Sequence, residues 1–470
     1  MWLLVSGMKN LDKKAYDIIC NWHKTIGFNP VYNGIDYSLI IRFYLWDKVG
    51  RALRLKNNID FGEIEFYKME YRSFPQYFTP LIPNGNFKKW FFSNKKLIFI
   101  PFQSTHTNEL IRKLKTINKV KPISKTSNGI LSKRNIIGSI NYNTDEIWSK
   151  ALCKNLILAL QSNGIELIVE DKWLLENQII GTVSVTNLAI AELKSNKPHA
   201  LYVHSDNHPP YINYVLAAQK LAIPTFTSQH GLDCEHYFLD DCFADYVGIW
   251  SKARMEKYQM NSSIQPKSYK VTGNFFLERI TKKNLTSSKK RQILFITRPH
   301  KPIKCYSPSR NFKEGVEILD VILKYLKQNQ DVFLKVKPHP MDSVSLYEDS
   351  IVSNGLSARA GISNGTLDEL IQQSTIIVTE DSTGGVEAMR FGKPLIHANL
   401  SNVTPVLPFV ENRAALPGFS RDELLRSIDH AFKLKEDEKG ELFEHQKLLA
   451  NKLMPVGRVD TLVDFIITNI

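Results

Sequence analysis

The stretch "TIIVTEDSTGGVEAMRFGKPLI", residues 375–396, holds three elements in succession. Thr375–Thr379 is a short β-branched run suited to a buried strand. Glu380–Gly385 is polar and glycine-rich, Val386–Phe391 reads as helix, and Lys393–Ile396 resumes as strand. Strand, polar turn, helix and strand in that order belong to a parallel α/β sheet. The polar turn itself needs a reason. A helix N-terminus offers unpaired N–H groups and the positive end of its dipole, which suits an anion such as a nucleotide phosphate. Capping by Asp381 or Ser382 is the plainer reading of the same residues.

The same alternation extends in both directions. Upstream, "EIWSKALCKNLILALQSNG" (146–164) is apolar at helical spacing and ends on Asn-Gly, a helix stop, and "IELIVE" after it reads as strand. "PHALYVHSD" (198–206), "PTFTSQHG" (224–231), "ADYVGIWS" (244–251) and "SYKVTGN" (268–274) read as strands, with a helix over "YINYVLAAQKLAI" (211–223). A lysine-rich stretch at 278–292 has the composition of a linker. Beyond it come strands at "ILFITRP" (293–299) and "DVFLKVKPHP" (331–340), with helices at 312–330, 366–374 and 421–434. The expectation is two doubly wound, Rossmann-like α/β domains: 1–280, with an unassigned aromatic and basic beginning, and 281–470.

Composition narrows the class. At 470 residues, 43% hydrophobic and 23% charged, the chain reads as a soluble globular enzyme, and no apolar run reaches membrane-spanning length. The opening "MWLLVSGMKNLDKK" lacks the basic lead and apolar core of a signal peptide, so a cytoplasmic protein is expected. Five scattered cysteines suit free thiols in a reducing compartment. A net charge of +14 fits nucleic acid, anionic lipid or a phosphate-bearing substrate. "FKKWFFSNKK" (87–96) interleaves aromatics with lysines, as a membrane-surface segment does, and 112–134 reads as a basic loop or linker. No nucleic-acid-binding motif is present, so no nucleic acid is expected as partner.

Ligands of open parallel sheets sit beyond the carboxyl ends of the strands, so the polar clusters there are the candidate site. In the second half, Arg298 and Lys301 supply fixed positive charge, and Lys337 and His339 share a turn held by two prolines. Glu380, Ser382, Thr383 and Gly384 lie at the helix start, with Glu387 further in, placed to meet a ribose diol. In the first half the clusters are His204–His208, which includes Asp206, and Ser228–Asp233. His204, Asp206 and His208 invite a metal reading, and "DDCFADY" (240–246) a metal-binding Asp pair. Neither has a recognisable ligand spacing, so no metal is expected.

The pieces "IPTFTSQHG" (223–231), "YKVTGN" (269–274), "KVKPHP" (335–340) and 379–396 together resemble GT-B glycosyltransferases. The closer resemblance is to bacterial enzymes of capsular and other surface polysaccharide synthesis: Kdo transferases, polysialyltransferases and CDP-glycerol glycerophosphotransferases. It covers roughly residues 200–400 and implies donor phosphates bound by His339, Ser382 and Thr383. It further implies the donor on the second domain, the acceptor on the first and chemistry in the cleft between them. A base from the first half must then deprotonate the acceptor hydroxyl. His230 leads, because it ends a strand with Gly231 behind it, and Asp206, Asp233 and Glu235 are rivals.

The resemblance thus implies a metal-independent transferase that moves a sugar from a nucleotide donor, a CMP-sugar being slightly favoured. The acceptor would be a hydroxyl of a surface polysaccharide or a lipid-linked glycan. The nucleotide-sugar is a substrate, so no cofactor is expected, and the basic surface would touch anionic membrane peripherally. Three alternatives stay open: a CDP-polyol phosphotransferase, a UDP-sugar 2-epimerase and a non-catalytic polyanion-binding protein. The absence of a Walker-type loop and of a "GxGxxG" disfavours an NTPase or a dehydrogenase.

Overall fold

Strands buried on both faces lose the apolar–polar alternation of a half-exposed sheet, and several strands here are of that kind. Ile376–Thr379, Leu395–Ala398, Ala200–Val203 and Thr225–Ser228 are buried at every position. The computed structural model describes residues 2–57, 94–124, 144–229, 231–232, 242–279, 291–298, 313–340, 342–401 and 403–470.

A short antiparallel pair, β1 (Val31–Tyr32) and β2 (Ile35–Asp36), precedes two parallel six-stranded sheets. The first contains β3 (Lys96–Ile100), β4 (Val120–Ser124), β5 (Ala200–Val203), β6 (Thr225–Ser228), β7 (Tyr246–Ile249) and β8 (Ser268–Val271). Its order is β4-β3-β5-β6-β7-β8. The second contains β9 (Arg291–Ile296), β10 (Val332–Lys337), β11 (Ala360–Ile362), β12 (Ile376–Thr379), β13 (Leu395–Ala398) and β14 (Leu416–Gly418). Its order is β11-β10-β9-β12-β13-β14. Every pairing in both sheets is parallel, so the expected pair of doubly wound α/β domains is the architecture found. The order of each sheet reverses once, between β3 and β5 in the first and between β9 and β12 in the second. Those reversals are where ligands of such sheets bind.

Three readings of the sequence change. "IELIVE" is not a strand: Ile165 and Leu167 are buried in an extended lead, and Val169 opens a helix running to Asn196. Glu170 and Asp171 suit the positive end of that helix, and Asp171 pairs with Arg51 at 2.6 Å in the interior. The basic segment 112–134 is not all loop, since 112–115 ends the helix Thr105–Lys115 and 120–124 is β4. The first 135 residues, in which sequence periodicity is weak, hold the helices Trp2–Thr25 and Tyr37–Lys56 and two strands of the first sheet. Of the aromatic–lysine segment, 87–93 lies outside the described residues, and Lys96 begins β3.

The expected division near residue 280 falls in 280–290, outside the described residues, and the sheets sort to either side of it. The last helix, Val459–Thr468, returns to the first sheet, where Leu462, Val463 and Ile466 pack with Ile98, Tyr202 and Phe226. Two chain segments therefore cross between the halves, and they run side by side. Asn274 N–H donates to Pro455 O (2.8 Å), and Gly457 N–H donates to Asn274 O (3.1 Å). A Cβ on Gly273, whose φ is +67°, would fall 2.4 Å from Gly457 Cα, so only glycine allows the two backbones to touch.

Candidate functional site

β10, β9 and β12 are neighbours, so the turns that follow them meet at one edge of the second sheet. These turns carry Lys337 and His339, Arg298, and Glu380 to Glu387. The order reversal between β9 and β12 lies there, and a hydrogen bond spans it: Arg298 N–H donates to Glu380 Oε2 at 3.3 Å. Arg298 and Glu380 are 5% and 1% exposed, so this pair forms the floor of the crevice rather than its rim.

The Lys337–Pro338–His339–Pro340 turn is built from beneath. His339 N–H donates to Thr297 Oγ1 (3.0 Å), whose own proton goes to Asp342 Oδ2 (2.7 Å). The Tyr347 hydroxyl donates to the same oxygen (2.7 Å), and Ser343 N–H to Asp342 Oδ1 (2.9 Å). Asp342 N–H closes the turn on His339 O at 2.8 Å. Burial, with the Asp342 and Glu380 carboxylates close by, drives the Tyr347 hydroxyl pKa well up, so it stays a proton donor. Sequence reading missed Thr297, Asp342 and Tyr347. The usable signal was an aspartate two residues after the His-Pro turn and just before an apolar helix.

Ser382 is an N-cap in extended conformation, and its hydroxyl accepts from Gly384 N–H at 3.2 Å. The capping reading of Ser382 is therefore realised. The Gly-Gly pair has a packing reason as well. A Cβ on Gly385 would lie 2.9 Å from both Phe409 Cε2 and Thr379 Cγ2, and one on Gly384 3.1 Å from Ile296 Cγ2. These glycines let the helix Thr383–Met389 lie against its own sheet. Asp381 faces away from the turn: it accepts from Leu407 N–H (2.9 Å) and Val406 N–H (3.1 Å) and contacts His397 Nε2 at 3.3 Å.

Glu387 is largely enclosed on the same helix. Burial first, and the neighbouring Asp368 carboxylate second, push its pKa up to about 7, while Arg390 opposes the shift. Such a carboxyl is poised between donating and accepting hydrogen bonds near neutrality. Arg390 in turn donates to Met454 O, where the chain leaves the second half for the crossing.

The first half presents a different edge. Gln229 donates through Nε2 to Gly231 O (2.8 Å) and accepts from Trp250 N–H through Oε1 (2.9 Å), fixing the turn after β6. Asp206 Oδ2 accepts from Phe243 N–H and Ala244 N–H, both at 2.8 Å, which holds the approach to β7. His208 and Ser205 share a 3.0 Å contact at Nδ1 and Oγ. Among the described residues no group of three or more His, Cys, Asp or Glu could hold a metal, and no helix is long and apolar enough to cross a membrane. Leu232 N–H reaches across the cleft to Thr383 Oγ1 at 3.0 Å, so the two edges meet. His230, Asp233 and Glu235 lie outside the described residues, as do Lys301 and the Asp240–Asp241 pair.

No family model matches the chain, and no curated protein matches it. Solved structures do. The S. aureus MnaA–UDP complex aligns with a TM-score of 0.50 at 15% identity, over 80% of this chain and 96% of that one. A Listeria monocytogenes protein described as a UDP-N-acetylglucosamine 2-epimerase gives 0.50 at 14% identity, over 80% and 97%. A Rickettsia africae glycosyltransferase gives 0.46 at 14% identity, over 80% and 98%. At these identities the likeness concerns the fold: two facing parallel α/β sheets of GT-B type.

Proposed function

We propose that the chain is a GT-B glycosyltransferase that takes a nucleotide-activated sugar at the edge of its second sheet. The observation that carries this reading is the Lys337–His339 turn. It is prebuilt on Thr297, Asp342 and Tyr347 and set beside Ser382–Glu387 at the order reversal of the sheet. Preorganised donors cost no rearrangement when negative charge develops on a leaving phosphate. Lys337 and His339 would face that phosphate together with the Ser382–Gly384 turn and the remaining Thr383 hydroxyl proton, and Glu387 would accept from the ribose diol.

In transfer, the bond from the anomeric carbon to the phosphate oxygen breaks and the nucleotide leaves with the electron pair. The acceptor oxygen bonds to that carbon, and its proton passes to a base on the first half. We place the base on His230, which follows Gln229 in the sequence, with Asp206 holding the approach to β7 and Asp233 as the rival. The acceptor is proposed to be a hydroxyl of a surface or lipid-linked glycan. The net charge of +14 suits an anionic acceptor or an anionic membrane surface.

The His-Pro turn favours a cytidine donor by resemblance, whereas the two structures at a TM-score of 0.50 are described with UDP or a UDP-sugar. The second reading is therefore a UDP-sugar 2-epimerase. Incubation with nucleotide-sugars separates the two: transfer consumes an acceptor and frees nucleotide, while epimerisation gives a new sugar with no acceptor present. Release of nucleotide that depends on added glycan supports the transferase, and interconversion without acceptor overturns it.

A further inference from the structure

The hydrogen bond from Leu232 N–H to Thr383 Oγ1 joins the loop after β6 to the helix after β12, across the cleft. It does not stand alone. The Leu232 side chain is buried in the second half's apolar cluster with Leu370, Val386 and Met389, and Trp250 of the first half lies in the same cluster. Gln229 ties both partners together, holding Gly231 O with its amide and receiving Trp250 N–H. Away from the strand ends, the halves are joined through the paired crossing segments at Asn274, Pro455 and Gly457. The halves thus meet at a joint of touching backbones and, at the strand ends, at a contact that includes the Thr383 hydroxyl, Leu232 and Trp250.

We infer that Thr383 is the latch of the cleft: a positioning residue whose hydroxyl oxygen holds Gly231–Leu232 against the second half. A hydroxyl has two acceptor sites and one proton, so Thr383 can accept from Leu232 N–H and still donate to a ligand in the cleft. A ligand oxygen that takes this proton polarises the hydroxyl and strengthens the bond from Leu232. Occupancy of the second half then tightens its hold on Leu232. This last step rests on the nucleotide-sugar reading, whereas the latch itself does not.

Hydrogen exchange on the full chain tests it, read at the peptide spanning Gly231–Leu232. Thr383→Val keeps the shape and removes the acceptor, and it is expected to speed exchange of the Leu232 amide by about fivefold, the scale of one lost hydrogen bond. Thr383→Ser restores the hydroxyl and should return wild-type exchange. Amides of Asn274 and Gly457 at the crossing should be unchanged, and the radius of gyration by solution scattering should rise in Thr383→Val alone. If Thr383→Val does not fold, Thr383→Ala gives the same reading. Equal exchange and equal size in wild type and the hydroxyl-less variant would overturn the latch. UDP and CMP form a separate arm: added nucleotide should slow the Leu232 amide further in wild type and not in the variant. Nucleotide that binds by calorimetry yet leaves that amide unmoved overturns the coupling. A chain that binds neither nucleotide but keeps the Thr383-dependent protection overturns the donor reading and leaves the latch standing.

Discussion

The two strand edges that face the cleft are built on opposite plans. On the second sheet, buried acceptors lie one layer below the turn: Asp342 and Thr297 fix the backbone of His339, and Glu380 fixes that of Arg298. The side chains of Lys337 and His339 are thereby left half-exposed above a rigid floor. On the first sheet, the polar residues at the strand ends are themselves the fixings. Asp206 holds the approach to β7, Gln229 holds the turn after β6, and Ser228 Oγ contacts Tyr202 Oη at 2.6 Å. An edge whose side chains stand over a fixed backbone and a scaffolding edge thus look alike in sequence, since both are short polar runs after apolar strands.

The largest expected effect breaks the second edge from below. Asp342→Ala leaves the Thr297 and Tyr347 hydroxyls and Ser343 N–H without their acceptor. It should cost about 3 kcal/mol in urea unfolding and abolish nucleotide binding. An unchanged nucleotide affinity would show that the turn does not depend on its floor. Next, Gly385→Ala forces a methyl to within 2.9 Å of Phe409 and Thr379 and should cost about 2 kcal/mol, with Gly384→Ala costing clearly less. Both retain their N–H groups, so they separate the packing role of the glycines from any anion-binding role.

Glu387 gives a pH test of the same edge. Its folded pKa of about 7 stands above the unfolded value of 4.5. The folded protein therefore holds the proton where the unfolded chain has released it. Stability from this group is full below about pH 4.5 and is lost as pH rises through about 7, a fall on the order of 3 kcal/mol. Glu387→Gln should flatten that part of the stability–pH curve, followed by chemical unfolding between pH 5 and 8. If Glu387 accepts from a ribose diol, wild-type nucleotide affinity should also rise through the same interval, and the variant's should not.

On the first edge, Asp206→Asn keeps an oxygen for the Phe243 and Ala244 amides and should cost only about 1 kcal/mol in stability. Turnover that survives this change assigns Asp206 to scaffolding. Turnover lost with the fold intact would make it the base and weaken the contrast between the edges.

Much of this was legible in the sequence, for a stated reason. Strands buried on both faces write themselves as apolar, β-branched runs, and 375–379 and 293–296 needed nothing more. The helix Tyr37–Lys56 was not legible because Arg42, Lys48, Arg51 and Arg54 are buried within it and blur the apolar period. Lys48, buried to 1% exposure, donates to Tyr44 O and Gln178 Oε1, and Arg51 pairs with Asp171; these partners are 4, 130 and 120 residues away in the chain. Pairings 130 and 120 residues apart leave no local trace. "IELIVE" failed through its neighbour, because the 28-residue helix that follows begins inside it. The strand-end turn at 380–385 was read for its hydroxyls and glycines, while its buried contacts, Glu380 to Arg298 and Asp381 to Val406 and Leu407, join segments distant in sequence.

The central claim is that the edge of the second sheet binds a nucleotide through a prebuilt turn. Calorimetric titration of the full chain with UDP, CDP, CMP and GDP tests it most directly, with His339→Ala in parallel as a change that leaves the turn's backbone bonds in place. Selective binding of one nucleotide by wild type, weakened about tenfold or more in His339→Ala at unchanged unfolding free energy, is the expected result. Binding of none of the four, or equal binding by both proteins, would contradict the claim and leave the shared fold without the proposed site.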